Sequence, residues 1–181
     1  MSAPVASPRR HRARRADGAS VLYTHVTSPL GRLLLTGDEE RLWSISMEGQ
    51  RGRPGVGPEW REAAEPFFEV RLQLEQYFSG ERTEFELPLR ITGSDFQRRV
   101  WRALRSVPYG KTCSYGELAA SIGKPRAARA AGLANGRNPF AIVIPCHRVV
   151  GAQGGLVGYG GGLGRKRWLL EHERRARARR S

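Results

Sequence analysis

A chain of 181 residues has room for one domain or two small ones, and a formal net charge of +14 points to an anionic partner, of which nucleic acid is the usual one. Only two cysteines, Cys113 and Cys146, argue against a disulfide framework, and with four scattered histidines they give no zinc spacing, so neither a metal nor another cofactor is expected. No apolar run approaches the roughly 20 residues that span a bilayer, and the amino terminus lacks a secretory apolar region, so no membrane partner and a reducing, cytoplasmic location are expected.

Residues 1–19, rich in Pro, Arg, Ala and Ser without periodicity, read as a disordered basic tail. A β pattern of short runs bounded by turn residues then predicts strands over 21–27, 32–36 and 41–47, separated by the turn Ser28-Pro29-Leu30-Gly31 and by Gly37-Asp38-Glu39-Glu40. A Gly/Pro/Arg loop covers 49–58. A helix is predicted over 65–78, with Pro66 tolerated in its first turn and Phe67, Val70, Leu74 and Tyr77 on one face. Ser79-Gly80 ends it, and 85–89 is an extended segment leading to a linker.

In the second half, Ser94-Asp95 caps a helix whose Phe96, Val100, Trp101 and Leu104 form an apolar stripe, closed by Pro108-Tyr109-Gly110. Short helices over 114–123 and 126–135 flank Lys124-Pro125 and read as a helix-turn-helix. The apolar run 140–144 predicts a buried strand ending at Cys146. The glycine-rich stretch 151–162 lacks the strand-to-helix context of a nucleotide fingerprint. A last helix is expected over 165–173, and the chain divides into a tail 1–19, a β-sheet and helix domain 20–91, a second domain 92–173, and a basic tail 174–181. Residues 19–91 carry a net −4 and residues 92–173 a net +9, so the second half is where an anionic partner is expected to bind.

Two readings of Cys146 stand side by side. Free cysteine is among the most buried residue types, so it fits a core position. A histidine follows it directly and basic residues lie nearby, which is where a thiol becomes a nucleophile.

Asn138-Pro139, Ile144-Pro145-Cys146-His147-Arg148-Val149-Val150, Gly158-Tyr159 and Lys166-Arg167-Trp168-Leu169-Leu170-Glu171-His172-Glu173 together resemble the O6-alkylguanine-DNA alkyltransferases, also called methylated-DNA–protein-cysteine methyltransferases. The likeness is close from about Phe96 to Glu173 and looser from Val21 to Leu89. It implies an α+β fold with a small sheet domain and a mostly helical second domain. It also implies a single-turnover transfer of an alkyl group from guanine O6, with thymine O4 a further substrate, to Cys146. In that resemblance His147 and Glu173 activate the thiol, Asn138 buttresses the turn, and Tyr115 donates a proton to the flipped base. Arg129 is the finger that fills the vacated stack, with Arg126, Ala128, Tyr115 and Asn135 also at the DNA. Val149, Tyr159 and Gly160 wall the pocket, Gly160 standing where some members carry Ser. The implied partner is double-stranded DNA bearing O6-alkylguanine, bound by a monomer. The alternative is a helix-turn-helix regulator or lesion sensor that binds without transfer.

Overall fold

The computed structural model describes residues 20–53 and 55–180; the predicted tail 1–19 lies outside them. Strands β1 (Leu22–Ser28), β2 (Gly31–Gly37) and β3 (Leu42–Met47) form an antiparallel ladder where the β pattern predicts strands, with β2, the central partner of both, buried continuously from Leu33 to Gly37. Gly31, at φ 91°, makes the first hairpin turn in a conformation that a Cβ would strain. A fourth strand, β4 (Arg61–Glu62), runs parallel to β1 and makes the sheet mixed, in the order β3-β2-β1-β4. Two exposed residues carry no periodicity, so pattern reading passes over it.

Helix α1 (Phe68–Ser79) follows a 3-10 turn that holds Pro66. It buries Val70, Leu74 and Tyr77, and Gly80 ends it in the left-handed conformation. The extended 85–89 segment then lies along β3, where Leu42 N–H donates to Pro88 O and Arg90 N–H to Leu42 O.

Helix α2 (Asp95–Arg105) begins as the sequence predicts: Ser94 Oγ accepts from Gln97 N–H, and Gln97 Oε1 accepts from Ser94 N–H. Replacing Ser94 with Ala is expected to lower stability by about 1 kcal/mol in a urea melt. An unchanged midpoint would mean that tertiary packing alone holds this helix end. Buried Trp101 pins α2 to the second half by donating from Nε1 to Ala134 O at 2.9 Å.

A two-stranded parallel ribbon, β5 (Cys113–Ser114) and β6 (Val149–Val150), brackets the helix-turn-helix formed by α3 (Tyr115–Ser121) and α4 (Ala128–Gly136). The predicted strand over 140–144 is not one. Phe140 bridges Ile45 of β3, and the chain then turns through Ile142, whose φ is 74°. The run is uniformly apolar because it is enclosed on every side, a burial pattern that strands and buried turns share. The last helix, α5 (Leu163–Ala178), continues past the expected end at Glu173, so most of the predicted basic tail is helical. Ala176 packs against Gly80, and Arg180 hydrogen-bonds the carbonyls of Gly80 and Glu81, which explains the extra turn.

One continuous apolar cluster runs from Leu33 and Ile45 of the sheet through Tyr77 and Trp101 to Ile144 and Leu169. The sheet therefore packs directly against the segment that carries Cys146. Among the described residues no helix is long and apolar enough to cross a membrane.

Candidate active site

Asn138 organises the turn before Cys146. Its Nδ2 donates to Phe140 O and Ile144 O at 3.2 and 2.7 Å, and its Oδ1 accepts from Phe140 N–H at 3.0 Å. These bonds close the loop around Ile142, whose left-handed backbone is costly for a β-branched residue, on the order of 1–2 kcal/mol. The β3 edge supports the same loop, with Ile45 N–H donating to Pro139 O and Ala141 N–H to Ile45 O. A 3-10 turn then presents Cys146, His147 and Arg148, all buried.

Glu173, on α5, is fully buried and collects five hydrogen bonds. His147 Nε2 and Tyr77 Oη each lie 2.8 Å from Oε1, Arg148 donates to both oxygens at 2.9 Å, and Gly110 N–H donates to Oε2 at 3.0 Å. Burial alone would raise this carboxyl, but His147, then Arg148, overcome that and hold it well below the usual carboxylate range. It stays ionised and fixes His147 with a proton on Nε2. Nδ1 of His147 is buried with no protein partner, so it presents a lone pair. Burial depresses the imidazole's pKa, against the opposing pull of Glu173, and so favours the neutral ring that a base must be.

The Cys146 thiol is pushed up by burial. Four groups oppose the rise: the Asn138 side chain, Lys166, the residue's own backbone N–H and Arg53. Lys166 is wholly enclosed, with Nζ bonded to Val149 O at 2.5 Å and Val157 O at 2.7 Å. Arg53, from the loop after β3, hydrogen-bonds the carbonyls of Arg137 and Asn138. The thiol thus sits in an apolar shell ringed by two cations, an arrangement that favours thiolate only against a strong desolvation penalty.

Tyr115, at the start of α3, rests its ring on α4 where a Cβ at Gly132 would meet it at 3.3 Å. Its hydroxyl lies 3.3 Å from Val157 O, and burial, then the neighbouring Cys146, raise its pKa, keeping it a protonated donor. Tyr159 and Gly160 line a cleft with Cys146 and Asn138, whereas Val149, buried on β6, is not part of the lining and its carbonyl accepts from Lys166. The cleft holds only about 10 Å³, near the room of one water.

Arg126 and Arg129 are exposed on the helix-turn-helix, with half-buried Ala128 between them and exposed Leu133 one turn further along α4. Asn135 departs from the expected DNA-facing position. It falls four residues after buried Ala131, on the inward face of α4, and its Nδ2 donates to Cys146 O at 3.3 Å. It braces the turn instead. Sequence reading missed Tyr77, Arg148, Lys166 and Arg53 as site residues. Arg148 and Lys166 lie inside the Cys146 and Glu173 motifs, the one signal that marks them, whereas the sequence pattern places Tyr77 only on an apolar helix face. Among the described residues no cluster of His, Cys, Asp and Glu could hold a metal.

Two family models match end to end: the 6-O-methylguanine DNA methyltransferase ribonuclease-like domain over residues 21–91 and the DNA binding domain of the same family over 95–175. A methylated-DNA–protein-cysteine methyltransferase from Mycolicibacterium paratuberculosis is 55% identical over 153 residues, covering 84% of this chain and 92% of its own length. One from Methanosarcina acetivorans is 48% identical, covering 83% and 97%. The crystal structure of Mycobacterium tuberculosis OGT in complex with DNA aligns with a TM-score of 0.81 at 50% identity, covering 86% of this chain and 94% of that one. With both halves matched in order and Cys146 in the motif-bearing turn, the chain belongs to the 6-O-methylguanine DNA methyltransferase family.

Proposed function

We propose that this protein repairs DNA by transferring the alkyl group of O6-alkylguanine to Cys146, once per molecule. The observation that carries the reading is the buried Glu173–His147 pair directly behind Cys146, which leaves His147 Nδ1 as an unpartnered base. Nδ1 takes the thiol proton, directly or through one water. Sγ attacks the alkyl carbon as the carbon–O6 bond breaks, and the bonding pair leaves with O6. Tyr115 supplies a proton to the guanine ring, which makes the purine a better leaving group. The products are an S-alkylcysteine and an intact guanine, so no cofactor enters the balance.

The target atom lies within the base stack, and flipping the nucleotide out costs a few kcal/mol. Arg129 replaces it in the stack, Arg126 and the other exposed cations of the second half hold the backbone, and small Ala128 lets the helix approach it closely. The working division is a supporting domain over 20–91 and a catalytic domain over 92–173. The protein acts as a monomer on double-stranded DNA in the cytoplasm.

The test is to mix the protein with excess duplex carrying one O6-methylguanine and to follow both partners. The protein should gain the mass of one methylene, mapped to the Cys146 peptide, with one lesion lost per molecule. Continued turnover would overturn the suicide reaction. Tight binding with the lesion and the protein mass both unchanged would favour a sensor that does no chemistry.

A further inference from the structure

We propose that Gln50, in the loop after β3, is a specificity-determining residue that gauges the size of the O6 substituent. The inference rests on the alkyl-transfer reading and adds to the substrate site a residue of the amino-terminal half. In an in-line displacement the alkyl carbon lies against Cys146 Sγ, so the cleft beside Sγ must house the substituent. Gln50 lines that cleft together with Cys146, Asn138, Tyr159 and Gly160.

Its position is fixed from two sides. Met47 N–H donates to Gln50 Oε1 at 3.0 Å, and Gln50 N–H donates back to Met47 O at 3.0 Å. The first bond settles which end of the amide is oxygen, so Nε2 is the end that faces the cleft wall. A Cβ built on Gly160 would meet Nε2 at 3.3 Å, Cγ at 3.5 Å and Cδ at 3.7 Å. Gln50 therefore occupies the volume that a side chain at position 160 would need. The next residue ties the same wall to the loop, since Arg51 N–H donates to Gly160 O at 3.2 Å. The Met47 bond to Oε1 holds the whole amide in place, so Nε2 stands in the path of a bulky group.

The consequence is a slot suited to methyl and resistant to larger groups. The experiment compares single-turnover rates on duplexes carrying O6-methylguanine and O6-benzylguanine, for wild type, Gln50→Ala and Gln50→Leu. Gln50→Ala should raise the benzyl-to-methyl rate ratio by about tenfold or more, the scale on which a few pocket atoms discriminate. Gln50→Leu, similar in reach but without the amide, should stay within about threefold of wild type. The ratio is independent of the fraction of folded protein, so poor folding of a variant does not blur it. A ratio unchanged in Gln50→Ala overturns the gauge. A rise of equal size in Gln50→Leu also overturns it, because the amide's bonding and not its bulk would then be responsible. A wild type that transfers neither group would defeat the alkyl-transfer reading itself, which is a separate outcome.

Discussion

Replacing Cys146 with Ala is expected to abolish alkyl transfer completely while leaving DNA binding within about threefold of wild type, a change of less than 1 kcal/mol. The asymmetry follows from where the two functions lie. Sγ is the cleft's strong nucleophile, and the Tyr159 hydroxyl beside it is kept protonated by burial, so loss of Sγ leaves no effective route of the same kind. The exposed cations Arg126 and Arg129 lie on the helix-turn-helix surface, and a buried thiol contributes nothing to their contacts with phosphate. Affinity of the variant should still fall steeply with salt, since those contacts release counterions. Fluorescence anisotropy on a lesion-bearing duplex measures the binding, and intact mass measures the transfer. Residual lesion loss in Cys146→Ala would put the chemistry on another residue. A large loss of affinity would mean that the turn carrying Cys146 shapes the DNA-binding face.

The same separation explains what the sequence could and could not reveal. The three long strands and the capped helix α2 follow local signals, short β-forming runs bounded by turn residues and a Ser-x-x-Gln box, and both survive folding. The two-residue strands β4, β5 and β6 are too short to carry a period and exist only because a neighbour pairs with them. The 140–144 segment shows the opposite failure, a strong apolar signal attached to the wrong geometry. Asn138, only four residues away, and the distant β3 edge bend it together, and hydrophobic periodicity registers neither. In the site, Cys146, His147 and Glu173 were legible through their motifs. Tyr77 was hidden because a tyrosine at a core-facing helical position looks like any other apolar residue until its hydroxyl finds a partner. Gln50 and Arg53 reach the site from a glycine-rich loop with no periodicity, so only the packing of the first half on the second discloses them.

Glu173→Gln is expected to damage stability and chemistry together, by separate physical routes. A neutral amide cannot accept from His147, Tyr77, Arg148 and Gly110 at once, and Arg148 is left buried beside a dipole where it faced a charge. Breaking a buried ion pair from one side typically costs about 3–5 kcal/mol. Because the folded carboxyl is held below its ordinary range, its contribution is complete above the unfolded carboxyl's pKa of about 4.3 and is lost as pH falls further. The stability gap between wild type and variant should therefore be constant near neutral pH and narrow below about pH 4. A gap that widened in acid would reverse the assigned shift. For the chemistry, loss of the carboxylate removes both the orientation and the basicity of His147, and the transfer rate should fall on the order of 10³-fold, as when other base-orienting acids are neutralised. The pH profile distinguishes that cause from simple misfolding. A neutral His147 that accepts the thiol proton gives wild type a nearly level rate from about pH 7 to 8.5, whereas a variant lacking the base depends on pre-formed thiolate. Burial raises the Cys146 thiol, so the variant's rate should climb about tenfold per pH unit over that window. Tyr77→Phe offers a milder control, removing one donor from Oε1 at a cost of about 1 kcal/mol and leaving the ion pair intact. Identical pH profiles for wild type and Glu173→Gln would show that Glu173 only holds the fold, and that Cys146 is activated by the neighbouring Lys166 and Arg53 alone.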